Sequence, residues 1–316
     1  MITINGTEIT ELKYNGVEIE KAICNGVVVF EKTRENIIRM KTSADSIKLR
    51  VRTKDGSPCE LWNGGKKIAE LQSGTPQTVS IPNNAEEILI KGKDIQGLNC
   101  PNNQLTTLNA SGCTSLQWLY CSDNRLTALT VSGLTSLQEL YCNNNRLTAL
   151  NASGCTSLRL LDCYHNRLTT LSVSGCTSLQ HLYYSDNQLT ALNASGCTSL
   201  QTLGCSSNQL TALNASGCTS LQTLVCYNNH LTELDVSGLT SLQTLSCYNN
   251  QLTAEALKKI FEGLPERANK DGKAALYKDG DSNYKDFTQP PELAAAFKAA
   301  KAKGWKFYKN DWSTEI

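Results

Sequence analysis
Leu137–Ser157 reads LQELYCNNNRLTALNASGCTS, and the frame inside it, L-x-C-x-x-N-x-L, recurs every 21 residues across about half of the chain. The copies are anchored by Cys100/Asn103/Leu105, Cys121/Asn124/Leu126, Cys142/Asn145/Leu147, Cys163/Asn166/Leu168, Tyr184/Asn187/Leu189, Cys205/Asn208/Leu210, Cys226/Asn229/Leu231 and Cys247/Asn250/Leu252. A fixed period of this length marks a solenoid, in which each copy buries its apolar face only against its neighbours. Within a copy, Leu119 and Cys121 alternate with Trp118, Tyr120 and Ser122, so a short strand has one dry face and one wet face. Stacked copies form a parallel sheet, with strands ~4.8 Å apart and a length on the order of 35 Å for eight coils.

The asparagine of each copy is expected to be buried at the turn after the strand, where its donors and acceptor satisfy backbone groups of its own and the next coil. The segment that follows, L-T-A-L-N-A-S-G-C-T-S-L in its commonest form, returns the chain on the other side. Gly112, Gly133, Gly154, Gly175, Gly196, Gly217 and Gly238 hold its turn position, where positive φ is expected. The pattern resembles the leucine-rich repeat L-x-x-L-x-L-x-x-N-x-L in its short, 21-residue, bacterial form, close to the internalins. The resemblance covers Ile95 to Leu252 and implies a recognition protein that works without catalysis, with a cell-surface or virion setting.

The 14 cysteines follow from this frame. Seven occupy the inward strand position, and Cys113, Cys155, Cys176, Cys197 and Cys218 share a second position with Leu134 and Leu239. Leucine at equivalent sites identifies the cysteines as apolar filler, free and buried. Disulfide and metal readings need closer spacings such as C-x-x-C, which the chain lacks. Tyr184 places a large ring where seven copies have a thiol, so a local adjustment of the coil or a rerouted side chain is expected.

Around the array the composition changes. Residues 1–32 carry Asn5-Gly6, Asn15-Gly16 and Asn25-Gly26, which predict a β-meander. Residues 33–94 hold alternating strand-like runs separated by Asp55-Gly56, Gly64-Gly65 and Pro82-Asn83-Asn84, and read as a small β-sandwich that caps the solenoid. Residues 95–252 are the array of eight coils. The array has no lysine, whereas residues 253–316 contain eleven. This last segment reads as an α/β cap, with a helix after Thr253 and a second helix over residues 291–303. The fold class expected is therefore a leucine-rich repeat solenoid, mostly β, between an all-β and an α/β cap.

Charge and motifs narrow the function. A formal net charge of +1 and 19% charged residues supply no field for nucleic acid or anionic lipid. No run approaches the ~20 apolar residues of a membrane helix, and MITINGTEIT lacks the pattern of a secretory signal. No catalytic or nucleotide-binding motif is present, and no cofactor or metal is expected. His165 would neighbour Asp186 at one strand spacing, read as a surface pair. Asp279, Asp281 and Asn283 imitate a calcium loop but lack its glycine and glutamate, and read as a polar turn.

Comparison between copies locates the candidate site. The return segment hardly changes, while the outward strand and turn positions change almost every time. Trp118, Tyr120, Glu139, Tyr141, Asp162, Tyr164, His165, His181, Tyr183, Tyr227 and Tyr248 make this face aromatic, amide-rich and sparsely charged. Rigid aromatic area with polar tips suits a protein or carbohydrate partner. The alternative reading is a structural or adhesive component of a phage particle or bacterial cell surface, with the solenoid as stalk or tip.

Overall fold
The computed structural model describes residues 35–316 and, before them, the strands within residues 3–31. Those early strands form three antiparallel pairs: Thr3–Ile4 with Thr7–Glu8, Lys13–Tyr14 with Val17–Glu18, and Lys21–Cys24 with Val27–Glu31. Among the described residues each strand pairs with the partner across its own Asn-Gly step, and the links between these pairs, on which the expected meander depends, lie outside the described residues.

Residues 35–93 build two facing sheets. Glu35–Thr42, Cys59–Asn63, Lys66–Leu71 and Ile88–Lys93 lie in one; Ser46–Thr53 and Gln77–Ser80 lie in the other. Ile38, Met40, Leu61, Ile88 and Ile90 on the first and Ile47, Leu49 and Val51 on the second are buried. Neither sheet stops at the array. Ser46–Thr53 runs antiparallel to the first coil strand, Ile95–Asn99, and Glu35–Thr42 runs antiparallel to Leu105–Asn109 on the return side. The N-terminal module thus covers the end of the solenoid by continuing its hydrogen bonding, so the first coil strand is not a sheet edge.

From Ile95–Asn99 the long sheet continues as parallel strands Trp118–Tyr120, Glu139–Tyr141, Leu160–Asp162, His181–Tyr183, Thr202–Gly204, Thr223–Val225 and Thr244–Ser246. Register is constant, leucine opposite leucine in every coil. The sheet then takes in Gly272–Tyr277 and Trp305–Lys309. Helix α1, Ala254–Gly263, is capped by the Thr253 hydroxyl accepting from the Ala256 N–H, and helix α2 spans Pro291–Ala302. Ile260, Phe261, Leu293 and Phe307 carry the core into this closing segment. No helix among the described residues is long and apolar enough to cross a membrane.

The asparagine column is buried, except for the half-buried Asn166, and its hydrogen-bonding groups are used. The Asn145 Nδ2 donates to the carbonyls of Cys121, Cys142 and Asn143 at 3.0–3.2 Å, and its Oδ1 accepts from the Leu126 N–H at 2.9 Å. The same pattern repeats through Asn250. At the two ends other groups complete it. Asn103 exchanges bonds with the Lys48 backbone in the N-terminal module, and Asn283 takes the next place, accepting from Leu252 N–H and donating to Cys247 and Leu276 carbonyls. The loop that imitates a calcium site is therefore the continuation of the asparagine column, at an interval longer than 21 residues.

All 13 cysteines among the described side chains are free and buried; Cys24 lies outside them. Burial alone pushes the Cys100 thiol up to about 12. On the return side the thiols of Cys155, Cys176 and Cys218 donate to carbonyls 24 residues earlier. Tyr184 is also fully buried, and the expected adjustment does not occur: its N–H still donates to Gly204, and the Leu161–Leu182–Leu203 register is unbroken. Its small neighbours Cys163 and Cys205 leave room for the ring. Gly133 through Gly238 adopt φ of +78° to +88°, but Gly112 does not. Its carbonyl accepts from Asn36 Nδ2, so the N-terminal module fixes this first turn differently.

Candidate recognition face
Because the coils are in register, outward side chains form two rows across the sheet. One runs Arg52, Gly97, Trp118, Glu139, Leu160, His181, Thr202, Thr223 and Thr244; the other runs Arg50, Asn99, Tyr120, Tyr141, Asp162, Tyr183, Gly204, Val225 and Ser246. Every expected contact residue on these strands is half-buried. The strand supplies the reason: with backbone ladders on both sides, each side chain is flanked by its two row neighbours and keeps only its tip in solvent.

The aromatic residues fall into three groups. Near the N-terminal module, Trp118, Tyr120 and Tyr141 are in contact, with centroids 5.5 Å apart for the first two and a T-shaped 4.9 Å arrangement for Tyr120 and Tyr141. The Tyr120 hydroxyl donates to Glu139, and burial together with this carboxylate raises the phenol well above its usual range. In the middle, His181 and Tyr183 lie parallel at 6.3 Å, and Tyr164 stands edge-on to His165 at 6.5 Å. Farther along, Tyr227 stacks on Tyr248 at 4.5 Å, and burial pushes Tyr248 up to about 12. Between the second and third groups the rows carry Thr202 and Gly204, with Ser206 beside them, a stretch without rings.

Asp162 sits in the row between Tyr141 and Tyr183. Burial raises its carboxyl to about 6, against the opposing effect of the Tyr164 N–H, which donates to it at 3.3 Å. A hydrogen-bonded margin runs beside the rows: Asn144 Nδ2 donates to Asp123 at 3.0 Å and to the Tyr164 hydroxyl at 3.3 Å, and Ser122 bonds Asn143.

The column of turn residues that contains His165 has a backbone explanation. Asn102, Asp123, Asn144, His165, Asp186, Ser207, Asn228 and Asn249 all have φ between +52° and +56°. Short polar side chains tolerate this left-handed conformation and β-branched ones do not, so the backbone accounts for the residue types in this column. His165 is exposed and bonds through its N–H to the Ser185 carbonyl; among the described residues no hydrogen bond or ion pair links its ring to Asp186. No group of three or more His, Cys, Asp or Glu among the described residues could hold a metal ion.

The structure adds Arg50 and Arg52, which the sequence reading left in the cap. Their alternation with the buried Leu49 and Val51 was legible, but the antiparallel pairing of their strand with the first coil was not. That pairing brings both guanidinium groups to the Trp118 end of the rows, where they and Gly74, Trp118 and Tyr120 line a cleft of about 320 Å³. A larger cavity of about 980 Å³ lies away from the rows, between the return strand Ala212–Asn214 and α1.

Comparison with known proteins agrees with this geometry. The model of the Leucine Rich repeats (2 copies) family matches residues 114–155, 135–175, 177–216 and 219–259. No curated protein matches the chain. Among solved structures, the functional domain of InlJ from Listeria monocytogenes, described as including a cysteine ladder, is 32% identical over 60% of this chain and 42% of its own, with a TM-score of 0.51. A leucine-rich repeat protein of Leptospira interrogans is 25% identical over 63% of this chain and 57% of its own, TM-score 0.44. The effector YopM of Yersinia pestis is 24% identical over 58% and 55%, TM-score 0.43. The chain spans less than half of the InlJ structure's length. A 21-residue period, a parallel sheet in constant register, an asparagine column and a buried cysteine column, with the family match over residues 114–259, identify the central array as leucine-rich repeats, similar to those of InlJ.

Proposed function
We propose that the protein is a recognition module without catalytic activity, which binds a protein or glycan partner on the outward face of its long sheet. Leucine-rich repeat domains generally mediate protein binding, and the finer assignment here rests on one observation. Three coils present half-buried aromatic rings, Trp118, Tyr120, Tyr141 and Tyr183, in fixed register with the rest of the sheet, each ring bearing a polar group. Held rings lose little entropy on binding, and their flat area is large, which is why such residues dominate binding energy. Glu139, Asp162, Tyr164 and His181 supply polar contacts around them, with His165, Tyr227 and Tyr248 along the margin. A cell-surface or virion setting accompanies this reading.

The test is capture of partners from protein libraries and glycan arrays by the wild type and by a Trp118→Ala/Tyr141→Ala/Tyr164→Ala variant. Loss of capture in the variant, with an unchanged thermal unfolding profile, supports the reading. Equal capture by both overturns it.

A further inference from the structure
We propose that the cleft where the N-terminal module meets the first coils is a subsite for an acidic sugar, its ring carried on Trp118 and its carboxylate held by Arg50 and Arg52. The inference rests on the recognition reading above and names the ligand chemistry at one end of the same face.

Five observations carry it. Arg50 and Arg52 are two residues apart on one strand, so both project from the same face about 7 Å apart. Each is in register with the first coil, Arg52 opposite Gly97 and Arg50 opposite Asn99, and through them with Trp118 and Tyr120. Gly97 is a gap in the row: a β-carbon there would stand 2.1 Å from the Trp118 ring, so the indole lies across the bare backbone toward the arginines. The Arg50 guanidinium sits 5.6 Å from the indole centroid, which steadies it while leaving its in-plane N–H groups free to donate. Among the described residues neither arginine has a carboxylate partner, and Arg52 is exposed.

The cleft, about 320 Å³, has room for a sugar residue. A guanidinium pair recognises an oxyanion through charge-assisted bonds. The flat platform beside it selects among oxyanions, because a pyranose packs its C–H face on an indole whereas an aspartate or glutamate side chain has no ring to place there. The charge order along the face agrees: the cations lie at this end, and the acids Glu139 and Asp162 lie one and two coils farther on, where a chain of hydroxyls finds acceptors.

The experiment is calorimetric titration of the full chain with a defined hexuronate oligosaccharide, its neutral hexose counterpart, inorganic phosphate and a poly-glutamate peptide. Wild type, Arg50→Gln, Arg52→Gln and Trp118→Leu are compared, with thermal unfolding as the folding control. The expected result is tighter binding of the hexuronate than of the neutral sugar, weakened at least tenfold by either arginine variant and by Trp118→Leu, and reduced by raised salt. Equal binding of charged and neutral sugars overturns the proposal. So does hexuronate binding that survives Arg52→Gln, or poly-glutamate binding as tight as the hexuronate's and dependent on the same residues. Phosphate binding that depends on the arginines but not on Trp118, without hexuronate binding, reassigns the cleft to simple anions and also overturns it. If partner capture is lost in the Trp118/Tyr141/Tyr164 variant but intact in both arginine variants, the recognition face stands and the acidic-sugar subsite falls.

Discussion

The Oδ1 of Asn124 accepts the backbone N–H of Leu105, 19 residues earlier, at 2.9 Å, while its Nδ2 donates to the carbonyls of Cys100, Cys121 and Ser122. One amide thus closes its own turn and ties it to the preceding coil. The column carries this arrangement from the N-terminal module to Asn283.

Replacing a central member, Asn187→Ala, strands an N–H and several carbonyls in a dry environment. Each orphaned group costs about 1–3 kcal/mol, and the loss of several is expected to lower stability by on the order of 3 kcal/mol. Urea unfolding of the variant will show a lower midpoint. Because coils interact only with neighbours, hydrogen exchange will rise most in the coils around Asn187. A uniform rise along the array would contradict the nearest-neighbour account.

The buried hydroxyl of Tyr184 lacks a hydrogen bond of good geometry; the nearby Cys205 thiol is a weak partner. Tyr184→Phe removes an unsatisfied polar group without removing the ring. The variant is expected to be more stable by about 1 kcal/mol, read from chemical denaturation. A loss of stability would show that the Cys205 thiol satisfies the hydroxyl after all.

With Asp162, burial raises the carboxyl to about 6 in the folded chain. A carboxyl that holds its proton more tightly when folded favours folding below the ordinary carboxylate range near 4, and this contribution disappears as pH rises through about 6. Asp162→Asn is therefore expected to gain on the order of 1 kcal/mol at pH 7.5, after allowance for solvent screening, and nothing at pH 3.5. Denaturation at the two pH values checks the sign. An equal gain at both would point to packing rather than charge.

For the thiols, burial predicts near-complete protection. The native protein is expected to leave the 13 described thiols unmodified by an alkylating reagent, and to release all of them after denaturation without reductant. Recovery of few thiols after denaturation would mean disulfides.

The left-handed turn column separates backbone demands from recognition. Asn144→Val forces a β-branched residue to φ +53° and should cost about 1–2 kcal/mol, whereas Asn144→Gly should leave the unfolding midpoint within about 0.5 kcal/mol. Equal midpoints for the two variants would remove the backbone explanation for this column.

The sequence by itself determined the coil: period, inward leucines and thiols, the asparagine turn and the outward rows are local, and stacking identical units converts them directly into a sheet in register. It also showed where copies differ, which located the aromatic rows. Tertiary structure alone decided what meets what across large separations. Arg50 and Arg52 reach Trp118 only because Ser46–Thr53 pairs with Ile95–Asn99, and nothing periodic encodes that register. Asn283 joins the asparagine column after an interval that breaks the period, because a helix and a strand intervene. The residues of the left-handed turn column, Asn102 to Asn249, vary in type within limits set by positive φ, a property of the turn that side-chain patterns do not reveal. Repetition makes short-range physics legible; the two ends, where repetition stops, depend on pairings between distant segments that only the folded chain brings together.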